Sequence, residues 1–374
     1  MAAVIQPSPF AACGREAAQS GGTVAAMHAV PTEVLARWPA LAGAASAPFG
    51  TGLINDTFRV EGRDGPVIVQ RLHPVFSPAV HHDIEAVTTH LARAGLATPR
   101  LLRTTEEALW VEHPRDDGTP GVWRAITYIP DSHTWDRVPS PAAAREAGRL
   151  VGSFHEALTT LDHTYQGRRG KGHDTARHRA TLEEALRERP DHRLYDAVAP
   201  VAARALEATA TLTDFEVVPA RHAHGDLKIS NLLFDARDRG LCLVDLDTVG
   251  RMAWAHEMGD ALRSWCNPAG EDVTELRVDH ARFEAAVEGY ASAARVSPEE
   301  WSLLVEGLVT ICRELAMRFF ADALRERYFG WNPSRYPTRG DHNLVRALGQ
   351  WTLAESITRD RTALEATVRR LQRT

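Results

Sequence analysis

Apolar and polar positions follow two periods along this chain, and the change from one to the other divides it. After a short helix-like segment, PTEVLARW, residues 44 to 72 alternate and turn in the manner of a small antiparallel sheet. Gly50-Thr51-Gly52 and Gly62-Arg63-Asp64-Gly65 mark the turns and leave NDTFRVE and PVIVQRL as strands. Ser77 and Pro78 then suit the start of a helix whose Val80, Ile84, Val87 and Leu91 share one face until Gly95 ends it. Two more strands, around ALWVEH and VWRAITYI, complete a sheet-plus-helix unit that ends near Tyr128.

Beyond Ile129-Pro130 the helical period takes over. Ser140-Pro141 opens a helix with Leu150, Phe154 and Leu158 on one face, and the last stretch carries Leu344, Leu348 and Trp351, then Leu364, Val368 and Leu371. The expectation is an α+β chain: a tail over 1–31, a small antiparallel-sheet N-lobe over 32–128, and a larger, mainly helical C-lobe over 129–374, with a hinge near 128–132. QGRRGKGH, residues 166–173, reads as a solvated connection.

Composition narrows the function. With 374 residues and 44% hydrophobic content the chain can bury a substantial core, while a net charge of -6 and a pI near 6.3 argue against nucleic acid as partner. No apolar run is long enough to span a bilayer, and residues 1–31 lack the basic and apolar regions of a secretory signal. FAAC, around Cys13, reads as part of the tail, and Met27 is a second candidate start. Cys13, Cys242, Cys266 and Cys312 are scattered without metal-ligand spacing, which fits a reducing cytoplasm.

The chemistry concentrates where NLLFD, ARDRG and LCLVD form a predicted hairpin. Antiparallel pairing places Asn231, at the start of the first strand, beside Asp245, at the end of the second, with Asp226 in the loop just before. Each residue alone commonly caps a turn or satisfies loop backbone. Together, H-G-D-x-x-x-x-N followed by a hydrophobic residue and Asp on the partner strand point to phosphoryl transfer. Oxygen ligands of this kind suit Mg2+, which completes its shell with phosphates and water, so ATP is the expected cofactor. Asp226 is then the base that accepts the proton of the attacking hydroxyl, and Asn231 and Asp245 are the Mg2+ ligands.

HGDLKISN and VDLDT resemble the catalytic and metal motifs of the aminoglycoside phosphotransferase and choline kinase superfamily, whose two-lobed fold is similar to that of protein kinases. More narrowly, FGTGLINDTF, VIVQRLHPVF, HDTARHRATL, HGDLKISNLLFD, MRFFADAL and DHNLVRALGQ resemble the N-acetylhexosamine 1-kinase branch, from about residue 48 to 357. The resemblance implies ATP-dependent phosphorylation of the anomeric hydroxyl of a free hexosamine.

Other candidates take their places around this centre. The chain has two lysines, Lys171 and Lys228, among 43 basic residues. Lys228, two residues after the base, can neutralise the transferred phosphoryl group or bond a substrate hydroxyl, whereas Lys171 belongs to the solvated connection. Gly50 and Gly52 allow backbone N–H groups to approach the triphosphate, and Asn55, Asp56 and Thr57 match the family's INDT. Protein kinases place a lysine on the third strand, but here Gln70 or Arg71 stands there. Arg71 can carry the charge instead, with Glu85 on the first helix as its partner. Arg318, Tyr328 and Trp331 suit a polyhydroxylated ring. His173, Asp174 and Thr175 join the sugar pocket by resemblance, and Asp247, two residues beyond Asp245, is a second polar contact or a turn residue. Two alternatives stay open: an aminoglycoside phosphotransferase, which requires an acidic pocket, and a nucleotide-binding pseudokinase, to which the missing strand lysine points.

Overall fold

A computed structural model describes residues 29–50, 55–115, 118–167 and 173–372. Most of the expected tail, with Cys13 and Met27, lies outside the described residues, as do Gly52 and Lys171. After helix α1 (Thr32–Leu35) come β1 (Ser46–Pro48), β2 (Asp56–Gly62), β3 (Gly65–Leu72), helix α2 (Val80–Arg93), β4 (Leu101–Leu102), β5 (Val111–Pro114) and β6 (Pro120–Thr127). They build one antiparallel sheet in the order β1-β2-β3-β6-β4, with β5 also on β6. The β2–β3 turn closes on the pair Gly62 and Gly65, and Gly65 has φ 121°, which side-chain-bearing residues avoid.

Strand alternation sorts the sheet into two faces. Phe58, Val60, Val69, Trp123 and Ala125 pack on Val34, Leu35, Trp38 and Leu41. Leu72, Val122 and Ile126 point the other way and join Val80, Ile84, Val87 and Leu91 of α2 in the main core. The helix begins a turn later than Ser77, because Ser77 and Pro78 form a turn of their own in which the Val80 N–H donates to the Ser77 carbonyl at 3.0 Å.

The remainder is mainly helical: α3 (Pro141–Leu158), α4 (Thr175–Glu188), α5 (Tyr195–Ala208), α6 (Trp254–Trp265), α7 (His280–Ala291), α8 (Pro298–Arg325) and α9 (Arg339–Leu371). Ser140 caps α3 by accepting from Ala143 N at 3.2 Å. Among these helices run two short antiparallel pairs, β7 (Arg221–Ala223) with β10 (Gly250–Met252) and β8 (Leu232–Phe234) with β9 (Gly240–Leu243). Helix α8 is the axis of this lobe, packing against α4, α6 and α9. Gly259 and Gly307 let α6 and α8 approach so closely that a Cβ on Gly307 would sit 2.1 Å from the Ala255 carbonyl. No described helix is long and apolar enough to cross a membrane.

Candidate active site

The β8–β9 ladder pairs Leu232 with Leu243, and the Val244 N–H donates to the Asn231 carbonyl at 2.9 Å. Pairing at this end of the hairpin brings Asn231 to the start of the segment that holds Asp245. The preceding loop turns at Gly225, φ 84°, where a Cβ would lie 2.5 Å from the Thr248 carbonyl. Asn231 Nδ2 donates to the Asp226 carbonyl at 2.9 Å and to its Oδ2 at 3.0 Å. Lys228 Nζ reaches the same Oδ2 at 2.7 Å. Asp245 adopts the left-handed conformation, φ 63° and ψ 56°, one that Asp tolerates better than most residues, and leads into a single 3-10 turn, Leu246–Thr248.

Charge follows from this packing. Burial works to raise the Asp226 pKa, but the Lys228 ammonium, with help from His224 and the Asn231 bond, outweighs it and holds the carboxyl below its ordinary range. Asp245 goes the other way. Burial raises it, and the neighbouring Asp247 and Asp226 charges add to the effect, against the pull of Lys228 and Arg124. Among the described residues no group of three or more His, Cys, Asp or Glu side chains is arranged to hold a metal by itself. The donor set is instead one carboxylate and one amide oxygen beside excess negative charge, which fits a hard divalent cation that takes its other ligands from phosphate and water.

Helix α6 cradles the loop. The Glu257 carboxylate, 1% exposed, accepts the His224 N–H at 2.6 Å and the Gly225 N–H at 3.0 Å, and His155 Nε2 lies 3.3 Å away. One face further along, Ser264 Oγ accepts from Ile229 N at 3.3 Å and Trp265 Nε1 donates to the Leu227 carbonyl at 2.9 Å. Thr134 and Thr248 add bonds to the Ile229 carbonyl, 3.2 Å, and the His224 carbonyl, 2.8 Å. Thr248 closes the VDLDT motif, but Glu257, His155, Ser264, Trp265 and Thr134 were not singled out from sequence. A signal for Glu257 exists there: it is a carboxylate inside the apolar stripe Trp254, Met258, Ala261, Trp265.

The sheet lobe departs from expectation. Arg71 does not meet Glu85: Arg71 Nε donates to Asp56 Oδ2 at 2.7 Å and its guanidinium lies 5.8 Å from the Trp123 ring centre, while Glu85 accepts from Arg103 at 3.0 Å. The reason is parity. Arg71 is in register with Asp56 and Trp123, on the sheet face that packs against α1, whereas α2 covers the opposite face. Gln70 is on the α2 face and accepts from Arg124 Nε at 2.9 Å. Thr57 Oγ1 accepts from Gln70 at 3.0 Å. Asn55 uses both ends of its amide, donating to Asp247 Oδ2 at 2.6 Å and accepting from His73 N at 2.9 Å. Asp247 does not continue a strand, since β9 ends at Leu243; it is buried in the 3-10 turn with both oxygens on Arg124. His81, wholly buried near this pair, is pushed down to about 4 by burial and the Arg124 charge. Gly50 has φ 72° at the β1–β2 connection.

A pocket of about 340 Å³ opens beside Asp226 and Lys228, with His173, Glu314 and Arg318 in its wall. His173 Nδ1 is 3.1 Å from Glu314 Oε2. Asp174 caps α4, accepting from Arg177 N at 3.0 Å, and does not line the pocket. Tyr328 and Trp331 are also off its wall, although Tyr328 Oη accepts from Arg318 at 3.3 Å and so backs a residue that does line it. Asp322 fixes that connection by accepting from the backbone N–H groups of Arg327, Tyr328 and Phe329 at 2.9, 2.7 and 2.8 Å. A larger cavity, about 880 Å³ around Trp110 and Arg103 on the outer side of α2, includes none of the hairpin's residues.

Residues 46–295 match the phosphotransferase enzyme family, APH. Solved structures of similar fold include a microcompartment-associated aminopropanol kinase, 15% identical with a TM-score of 0.59 over 89% of this chain and 97% of that one. An amicoumacin kinase in complex with AMP-PNP and Ca2+ is 11% identical with a TM-score of 0.55, covering 86% and 88% of the two chains. A choline/ethanolamine kinase family protein from Mesorhizobium loti is 17% identical with a TM-score of 0.51, covering 90% and 97%. At these identities the likeness is one of fold.

Proposed function

Because the chain belongs to the phosphotransferase enzyme family, we propose that it is an ATP- and Mg2+-dependent sugar kinase, acting on the anomeric hydroxyl of an N-acetylhexosamine or related hexosamine. The observation that carries the mechanism is the junction of Asp226, Asn231 and Asp245 at one end of a hairpin, beside a pocket. The acceptor's nature is supported by the charges of that pocket. Asp226 is paired with Lys228, Asp260 and Glu271 with Arg263, Asp272 with Arg335, and Glu314 with His173. A wall of paired charges suits a neutral polyol better than a polycation.

In this reading the nucleotide binds between the sheet lobe, 32–128, and the helical lobe, 129–374, with Gly50 near the phosphates. Asp226 is anionic at neutral pH, orients the acceptor hydroxyl and takes its proton as the new O–P bond forms and the γ-phosphoryl bond to ADP breaks. Lys228 holds the Asp226 carboxylate in place and presents its charge to the transferred group. Asn231 and Asp245 would hold Mg2+, which would supply neutralisation of the phosphate charge when bound. His173 and Arg318 contact the sugar, with Tyr328 behind Arg318.

The test is ADP release with Mg-ATP against N-acetylglucosamine, N-acetylgalactosamine, glucosamine, glucose, kanamycin, choline and homoserine, with phosphorus NMR of the product. Sugar-dependent release giving an acid-labile anomeric phosphate is expected. Turnover with kanamycin alone overturns the acceptor assignment, and nucleotide binding without turnover on any acceptor overturns the kinase reading in favour of a pseudokinase.

A further inference from the structure

The sheet lobe, residues 32–128, contains no lysine, and its strand cation at Arg71 is on the face turned away from α2. Another cation occupies the correct face. Arg124, on β6, is in register with Gln70 of β3 and is 1% exposed. Its two Nη atoms take both oxygens of Asp247, Nη2 to Oδ2 at 2.9 Å, while Nε is spent on Gln70. Asp247 belongs to the turn that directly follows Asp245, and Asn55 bonds it from the start of β2. The same turn ends in Thr248, whose hydroxyl donates to the His224 carbonyl. Hydrogen bonds thus join β2, β3 and β6 to Asp247, and the backbone of its turn carries the connection on to Asp245 and, through Thr248, to the loop of Asp226.

We propose that Arg124 is a positioning residue of the active centre: its planar fork fixes Asp247 and thereby sets Asp245 relative to Asn231 and Asp226. The inference rests on the nucleotide and Mg2+ reading above. A buried ion pair contributes little net stability, because desolvation offsets its attraction. What a bidentate guanidinium supplies is a fixed geometry, and an ammonium at the same place cannot reproduce it. The pair spans the two lobes, so it acts where the N-lobe must be held against a metal-bearing turn.

The experiment compares AMP-PNP binding with Mg2+ and with EDTA by calorimetry, alongside kcat and thermal unfolding, for wild type, Arg124→Gln, Arg124→Lys, Asp247→Asn and Arg124→Gln/Asp247→Asn. In wild type, Mg2+ is expected to tighten AMP-PNP binding. Arg124→Gln is expected to reduce that tightening by about 10-fold or more and kcat by about 100-fold, the scale of an ångström's misplacement. Arg124→Lys should recover only part of either loss, and the double variant should be no worse than the singles within about threefold, since the pair acts as a unit. Arg37→Gln, on the α1 side of the sheet with Glu106 as its partner, should leave the Mg2+ effect unchanged. A folded Arg124→Gln protein with wild-type Mg2+ tightening and kcat overturns the proposal. If that variant does not fold, the near-isosteric Asp247→Asn decides by the same two readouts. Wild-type protein whose AMP-PNP affinity is indifferent to Mg2+ instead overturns the underlying nucleotide and metal reading, a result distinct from either.

Discussion

Replacing Glu257 by Gln tests how the loop of Asp226 is held. The carboxylate serves two consecutive backbone N–H groups, those of His224 and Gly225, at 2.6 and 3.0 Å, and sits 3.3 Å from His155 Nε2. Glutamine keeps the shape but turns one acceptor oxygen into an NH2 donor that faces a donor. One buried N–H then loses its acceptor, at about 1–3 kcal/mol, and the surviving bond loses its charge assistance. The expected loss is about 3 kcal/mol, a large share of the roughly 5–15 kcal/mol that holds a typical domain together. The orphaned amide is next to Asp226, so loop displacement should also lower kcat by about 100-fold while acceptor KM changes little. Urea unfolding, ADP release and hydrogen exchange of amides 224–231 give the three readouts. Burial raises the Glu257 pKa, but the His155 bond and charge, with His224, outweigh it and hold the group below its ordinary 4.5. Its stabilising share is therefore present above about pH 4.5 and lost as pH falls through the folded value, and the Gln variant should lack this acid-sensitive part. A variant within about 0.5 kcal/mol of wild type, with full kcat, would refute the reasoning.

Asp226→Asn should lower kcat by about 100-fold or more with AMP-PNP affinity unchanged in calorimetry; undiminished turnover removes Asp226 as base. Asp245→Ala should abolish the Mg2+ dependence of nucleotide binding, and a retained dependence in the same titration places the metal elsewhere. Glu314, which burial raises but the His173 and Thr175 bonds push down to about 2, stabilises the fold above its ordinary 4.5 and loses that contribution as pH falls toward 2. Glu314→Gln should accordingly flatten the acid limb of an unfolding-versus-pH curve, and an unaltered limb counts against the His173–Glu314 pair.

The strands and the first-lobe helix were legible because their patterns are local: alternation in NDTFRVE and PVIVQRL, and a four-residue apolar repeat in α2. The meeting of Asn231 with the segment of Asp245 was legible for a related reason, since a tight hairpin converts sequence order directly into proximity. Arg71 and Glu85 were not. Alternation says that Gln70 and Arg71 face opposite ways, but which face α2 covers is decided by packing across the whole sheet. Arg124 was beyond reach because its partner Asp247 is 123 residues away. Tyr328 and Trp331 fell short because the connection carrying them is set by Asp322 and Arg346, whose bonds to backbone leave no periodic trace.

The two supports of the site have different physical characters, and this bears on what each can do. Helix α6 holds the Asp226 loop through backbone groups, by Glu257, Ser264 and Trp265, within one lobe. That cradle uses no residue of the sheet lobe, so the orientation of Asp226 is set chiefly within the helical lobe. The Arg124–Asp247 pair crosses between lobes and bears on the turn after Asp245. Any relative movement of the lobes must then either carry that turn along or break a buried charge pair, and breaking such a pair by separating its partners costs several kcal/mol. On the proposed reading, the turn that carries Asp245 is thereby coupled to the lobe that receives the nucleotide, while the Asp226 loop meets that turn through the Thr248–His224 bond and is otherwise held by α6. Phosphoryl transfer needs this division: phosphates and metal must be placed together, and the acceptor must be placed against a base that does not shift when they arrive.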